Sequence, residues 1–192
     1  MTLVEALKQY RPWNEQEERD RAELLRRLQS GENLYTRNND AGHLTASAWV
    51  VSPDRRQVLM AYHNLYNAWS WLGGHADGDR NLLAVAIREV QEESGLETVR
   101  PVLPDIYSLE ILTVDGHEKR GVYVSSHLHL NVTYLLEADP AAPVRRKPDE
   151  NSAVAWFRLE NAVAASSEPW MRERIYQKLN HKLALFPPEG TL

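Results

Sequence analysis

The sequence predicts an α/β protein, an α/β/α sandwich in which a mixed central sheet lies between helices, with a helical extension at the N-terminus. Three observations carry that reading. An amphipathic helical pattern runs from Asn81 to Ser94 in the middle of the 192-residue chain, β-type segments lie before and after it, and a further helical pattern closes the chain.

In chain order, residues 14–29, NEQEERDRAELLRRLQ, predict a charged helix with Leu24, Leu25 and Leu28 on its apolar side. Residues 30–40, SGENLYTRNND, are rich in turn formers and mark a boundary. The expected division is therefore a helical extension over 1–40, a main domain over 41–185 and a tail over 186–192. Strands are expected at Leu44–Ser52, Gln57–His63, Asp105–Val114, Val122–Leu136 and Ala153–Phe157. In the central helix, Leu83, Ala86, Ile87 and Val90 recur at i, i+3, i+4 and i+7, which gives one buried face. Gly95 stands where a helix commonly ends in a left-handed residue. The last helix is expected over Glu168–Leu185, stopped by Pro187 and Pro188.

Composition narrows the functional classes. At 43% hydrophobic and 26% charged, the chain can bury the core of one soluble domain. No apolar run approaches the ~20 residues that span a bilayer. The first 25 residues lack the basic-then-apolar layout of a secretory signal, so a cytoplasmic location is expected and a membrane partner is not. The absence of cysteine excludes disulfides, thiolate metal sites and cysteine nucleophiles. A net charge of -5 argues against broad binding to nucleic acid.

The chemistry is concentrated in Gly74–Leu96, GHADGDRNLLAVAIREVQEESGL. Glu89 and Glu93 stack one helical turn apart on the flank of the buried face, at ~100° per residue, with Glu92 further round. Like charges at this spacing repel. A hard divalent cation such as Mg²⁺ relieves that cost and also binds substrate phosphates. The competing reading is a solvated acidic helix face, since glutamate is a good helix former.

This segment resembles the signature box of the Nudix hydrolases: Gly, five residues, Glu, seven residues, Arg-Glu, an aliphatic residue, any residue, Glu-Glu, any residue, Gly, and an aliphatic residue. Gly74, Arg88, Glu89, Val90, Glu92, Glu93, Gly95 and Leu96 fill it in register. Arg80 stands where the box has its first glutamate, with Asp79 beside it, a departure that bears on loop geometry more than on metal binding.

The resemblance implies a Nudix-type sandwich over roughly three-quarters of the chain. It also implies hydrolysis of a diphosphate linkage in a nucleoside diphosphate joined to another group, with Mg²⁺ or Mn²⁺ as cofactor. Carried over by position, Glu89 and Glu93 are the first-choice metal ligands, Glu92 is the third, and the Gly73 carbonyl is an additional one. Arg88 would orient the glutamates. Glu150, on a polar stretch before a strand containing Trp156, matches a glutamate that many members use outside the box. The partner implied is a small phosphorylated, nucleotide-derived molecule. Two other functions remain open. One is a non-catalytic sensor module of the same fold. The other is an isoprenoid-diphosphate isomerase, which normally needs the cysteine that this chain lacks.

Two further patterns are candidates for substrate contact. In 122–136, Val122, Val124, Leu128, Leu130 and Val132 alternate with Tyr123, Ser125, His127, His129, Asn131 and Thr133. The polar face is either exposed to solvent or lines a cleft in which His127 and His129 contact phosphate. A two-histidine transition-metal site is geometrically possible there, but nothing else in the segment completes a ligand set. Upstream of the box, Tyr62, Tyr66, Trp69 and Trp71 fall within ten residues. Tyr66 and Trp69 are the expected substrate-facing rings, and Trp71 the expected core residue. His117, Glu118, Lys119 and Arg120 follow an Asp-Gly pair and are expected on a loop, where the basic pair would reach a diphosphate.

Overall fold

A computed structural model describes residues 1–119, 121–188 and 190. Two N-terminal helices, α1 (Leu3–Gln9) and α2 (Glu15–Gln29), precede the strands β1 (Gly42–Val51), β2 (Gln57–His63), β3 (Ala68–Ser70) and β4 (Leu72–His75). Helix α3 (Leu82–Ser94) follows, then β5 (Arg100–Pro101), β6 (Ser108–Val114), β7 (His117–Lys119), β8 (Val122–Val124), β9 (His127–Glu137) and β10 (Asn151–Arg158). Helix α4 (Leu159–Ala165) leads to a π-helical segment, Met171–Tyr176, that continues into α5 (Gln177–Leu183).

The sheet runs β10-β2-β1-β9-β5, with β3 on β2, β4 on β1 and β6 on β9, while β7 and β8 make a separate hairpin. Strands β1 and β9 pair in parallel and the other pairs are antiparallel, so the sheet is mixed as expected. Both faces are covered. Leu44, Ala46, Ala48, Leu130 and Val132 pack with Leu82, Val85, Ala86 and Val90 of α3 and with Leu7 and Leu24 of the N-terminal helices. On the opposite face, Trp49, Val51, Val58, Met60 and Leu135 pack with Ala162, Ile175, Tyr176 and Leu179.

Local chemistry explains most boundaries. Asn14 caps α2 by accepting from the Glu17 amide at 3.0 Å, and Asn81 caps α3 by accepting from the Ala84 amide at 3.2 Å. Gly95 ends α3 with φ 72°, the left-handed residue that the sequence signals. The expected strand over Val122–Leu136 is broken at Ser125–Ser126, and its first residues turn into the hairpin with β7. His117–Lys119 is thus a strand, not a loop; the Lys119 side chain and Arg120 lie outside the described residues. The strand expected from Asp105 starts at Ser108, and the last helix, already helical at Pro169 and Trp170, takes π-helical form from Met171. Helices α1 and α4 are too short for the periodicity of a longer window to reveal them.

Helix α2 closes a sheet edge. Gln16 donates to the Leu109 carbonyl at 2.9 Å, and Asp20 accepts from the Ile111 amide at 2.9 Å, so β6 finds side-chain partners on the side away from β9. Glu17, fully buried, accepts from Lys182 at 2.8 Å and forms an ion pair with Lys178 at 3.1 Å. Lys178 also reaches Glu110 at 3.0 Å, which ties α2, β6 and α5 together. Burial pushes the Glu17 carboxyl up, but the two ammonium groups outweigh it and hold its pKa down at about 2. Among the described residues, no helix is long and apolar enough to cross a membrane.

Removing one partner of a buried ionic network strands the others. Glu17→Ala is therefore expected to cost about 3–5 kcal/mol of stability, read as a fall in the denaturant midpoint. A loss below about 1 kcal/mol would show that the N-terminal helices do not depend on this network.

Candidate active site

The acidic helix face does not look into solvent. Helix α3 packs on β4 and β1, and this contact turns Glu89 and Glu93 toward a Gly-Gly backbone. The amide of Gly73 donates to Glu93 at 2.9 Å, and a Cβ on Gly74 would stand 2.4–2.6 Å from the Glu89 carboxylate. A Cβ on Gly73 would meet the Ala46 carbonyl oxygen at 2.5 Å and Ser47 Cα at 2.6 Å. The two glycines are required for close approach, not for an unusual φ.

Burial makes these carboxylates costly to ionise. Glu93 is 3% exposed, and desolvation, with the charges of Glu89 and Glu150 adding to it, raises its pKa to about 8 despite the Gly73 amide. Glu89 is half-buried and is pushed up by burial, then by Glu92 and Glu150. Glu150 therefore belongs to the same cluster, brought there by the turn before β10. Glu92 lies on the outer, exposed side of α3. Lys147, which the sequence did not single out, links the two: its Nζ is 3.3 Å from Glu92 and 3.1 Å from Glu150. Only the fold reveals it, because 55 residues separate Lys147 from Glu92.

Two residues near the misfit box position have clear partners. Asp79 accepts from the Asn81 amide at 2.9 Å and from Arg88 at 3.2 Å, bracing the loop into α3. Arg88 thus pairs with Asp79, and its positive charge also acts on Glu89. The Arg80 guanidinium lies over the Tyr35 ring, 4.9 Å from its centroid.

The carboxylates open into a cleft of about 1420 Å³ bordered by Gly73, Gly74, Glu89, Glu93, Glu150, His75, His129, Asn131, Tyr66 and Trp71. The polar face of β9 is buried in this cleft, not solvated. Asn131 donates to Glu110 at 3.0 Å and to Ser47 at 2.9 Å, and accepts from Thr45 at 3.0 Å. His129 borders the cleft; His127 lies behind it, its Nε2 3.3 Å from that of His129. Burial, with His75, His43 and His127 nearby, pushes the His129 pKa down to about 2, so its imidazole is neutral. The two tryptophans exchange their expected places. Trp69 packs edge-on against Tyr62 and Phe157, whereas Trp71 lines the cleft and stacks edge-on to Tyr176. Strand alternation through β3 and β4 is interrupted between them, so a shared parity does not mean a shared face.

A second cavity, about 490 Å³, lies between α1 and the end of α5 beside Tyr10, Trp13 and Tyr107. Its lining gathers no carboxylate cluster. The donor set of the cleft suits a divalent cation instead: oxygen atoms converge, the buried Glu93 carboxyl has one hydrogen-bond donor among the described residues, and the missing Cβ of Gly74 lets Glu89 sit against the backbone.

Comparisons with known proteins agree with this geometry. The family model described as NUDIX domain matches residues 42–179. A Nudix-family hydrolase from Clostridium perfringens superimposes with a TM-score of 0.53 at 21% identity, covering 74% of this chain and 97% of that one. The Nudix hydrolase RenU from M. smegmatis gives 0.53 at 16% identity, with 76% and 89% covered. The dihydroneopterin triphosphate pyrophosphohydrolase of E. coli gives 0.52 at 16% identity, with 70% and 92% covered. These likenesses are of fold. No curated protein sequence matches the chain.

Two outcomes follow from the site. Gly74→Ala should displace only the flexible end of Glu89, so stability stays within about 1 kcal/mol of wild type, whereas Gly73→Ala drives a methyl into the β1 backbone and should cost about 1–3 kcal/mol. Equal losses in thermal melts would contradict this placement. Glu93 holds a proton in the folded state that the unfolded chain releases between its ordinary 4.5 and about 8. Its contribution is thus full below the lower value and lost as pH rises through the upper one. Metal-free protein should lose stability over that window, and Glu93→Gln should remove that part of the slope.

Proposed function

The chain belongs to the Nudix hydrolase family, and on that premise we propose that it is a Mg²⁺- or Mn²⁺-dependent pyrophosphohydrolase. Its substrate would be a small phosphorylated compound, a nucleoside diphosphate linked to another group or a close analogue. The observation that carries the reading is the convergence of Glu89 and Glu93 on the Gly73–Gly74 backbone inside a cleft that Glu150 also borders.

Glu89 and Glu93 would hold the metal, with the Gly73 carbonyl and, from the outer side, Glu92 as further donors. When bound, the ion supplies positive charge against the phosphoryl oxygens and favours attack of water on phosphorus. Glu93 must lose its proton to act as a ligand, which couples metal affinity to pH. Glu150 would take a proton from water, a reading supported by the ion pair with Lys147 at the edge of the cluster. Arg88 acts through Asp79 on the loop into α3 and so on the position of that helix. His129, backed by His127, and Asn131 offer polar contacts on the facing wall, and Tyr66 and Trp71 offer rings for stacking on a base or sugar. Trp69 would contribute through packing alone. The cysteine-free sequence supports a cytoplasmic setting.

A panel of nucleoside-diphosphate compounds assayed with and without Mg²⁺ or Mn²⁺ tests the proposal. Turnover should require metal, and Glu93→Gln should lower kcat/KM by about 10²-fold or more, the equivalent of a few kcal/mol, while remaining folded. Tight, metal-independent binding without turnover would replace the enzyme reading with a sensor module.

A further inference from the structure

We propose that His43, His75 and His129 form a second metal site, for a divalent transition-metal ion such as Zn²⁺, on the cleft wall beside the carboxylate cluster. The three residues come from three adjacent strands. His43 and His129 are register partners on β1 and β9, and His75 ends β4 opposite Thr45. Each offers a ring nitrogen, and these nitrogens all lie within 4.8 Å of one another. Tetrahedral Zn–N bonds of 2.0–2.1 Å place ligand nitrogens about 3.3–3.4 Å apart. Closing the difference asks for side-chain rotation, not strand movement.

Hydrogen bonds to neighbouring groups fix the tautomers of His43 and His129. His43 is 5% exposed, and its Nδ1 is 3.2 Å from the Asn39 carbonyl. A carbonyl only accepts, so Nδ1 carries the proton and Nε2 keeps its lone pair. Among the described residues, that Nε2 is buried with no hydrogen-bond partner. A buried polar atom left unmet is costly, and a metal ion would supply the missing partner. A second chain fixes His129. His127 Nδ1 donates to the Ser125 carbonyl at 2.8 Å, which leaves its Nε2 to accept from His129 Nε2–H at 3.3 Å. The Nδ1 of His129 then carries a lone pair. Such outer contacts, an imidazole N–H given to a carbonyl or another ring, are those that orient metal-bound histidines. His127 is in this sense a positioning residue.

Donor chemistry separates this site from the acidic one. Imidazole nitrogens suit Zn²⁺, Ni²⁺ or Co²⁺, while carboxylate oxygens suit Mg²⁺ and Mn²⁺. Three neutral protein ligands leave a fourth coordination position and the full charge of the ion, the pattern of an open site. His75 and His129 border the cleft, so that position faces the same space as Glu89 and Glu93.

The test is a Co²⁺ titration of the full chain, stripped of metal and held in excess Mg²⁺ to occupy oxygen sites. Visible absorption bands of low-coordinate, nitrogen-ligated cobalt should saturate at one equivalent and disappear when Zn²⁺ is added. His43→Ala and His75→Ala should abolish the bands, and His127→Ala should weaken cobalt binding about 10–100-fold. Circular dichroism reports folding. If the buried His43 variant fails to fold, the half-buried His75 carries the result. Glu89→Gln and Glu93→Gln should leave the spectrum unchanged. Absent bands, bands that survive the histidine substitutions, or bands lost in the glutamate variants would each overturn the proposal. These readouts are independent of phosphohydrolase activity, so the diphosphate reading and this one can fail separately.

Discussion

The parallel pairing of β1 with β9 is the constraint on which the rest depends. From Gly42 opposite Leu128 to Val51 opposite Glu137, the two strands keep one register. A slip of one residue would exchange the faces of both strands. On one face, Leu44, Ala46 and Ala48 meet Leu130, Val132 and Leu136 and bind the helix that carries the acidic cluster. On the other, the composition changes along the strand. His43, Thr45 and Ser47 give way to Trp49 and Val51, and His129, Asn131 and Thr133 give way to Leu135. The apolar half is covered by the C-terminal helices. The polar half is left as the cleft, so one register sets both the second core and the site.

Charge burial appears twice in the fold, and it is handled differently each time. Glu17 and Glu110 receive lysine partners from α5, and this network has a structural consequence: it holds the N-terminal helices over the edge of β6. Among the described residues, Glu89 and Glu93 have no such pair of buried cations, and the ammonium of Lys147 reaches Glu92 and Glu150 instead. Desolvation therefore raises the pKa of both carboxyls, whereas the lysines hold that of Glu17 down. The contrast separates structural from chemical acidity more clearly than charge counting does.

Much of the frame was legible in the chain. Helix α3 with its caps at Asn81 and Gly95, helix α2 after Asn14, and the long strands β1, β2 and β9 all carry periodic patterns and local caps, which act over a few residues. The short helices α1 and α4 and the break at Ser125–Ser126 did not show, because seven residues hold fewer than two helical turns and a two-residue break leaves no pattern of its own. Nor did the exchange of Trp69 and Trp71: both are aromatic, and their roles depend on which side of a strand junction they fall.

By itself the sequence determined that Glu89 and Glu93 stand side by side, since they lie on one helix and helical geometry places them together. The tertiary structure alone decided what surrounds them. Gly73 and Gly74 come against Glu89 and Glu93 through the packing of α3 on β4, and Lys147 and Glu150 arrive from a turn more than fifty residues on. His43 and His75 join His129 only because β1, β4 and β9 are neighbours in the sheet. Strand alternation is a local rule that reports which side a residue faces; strand order, which reports who shares that side, follows from long-range pairing that no local pattern contains.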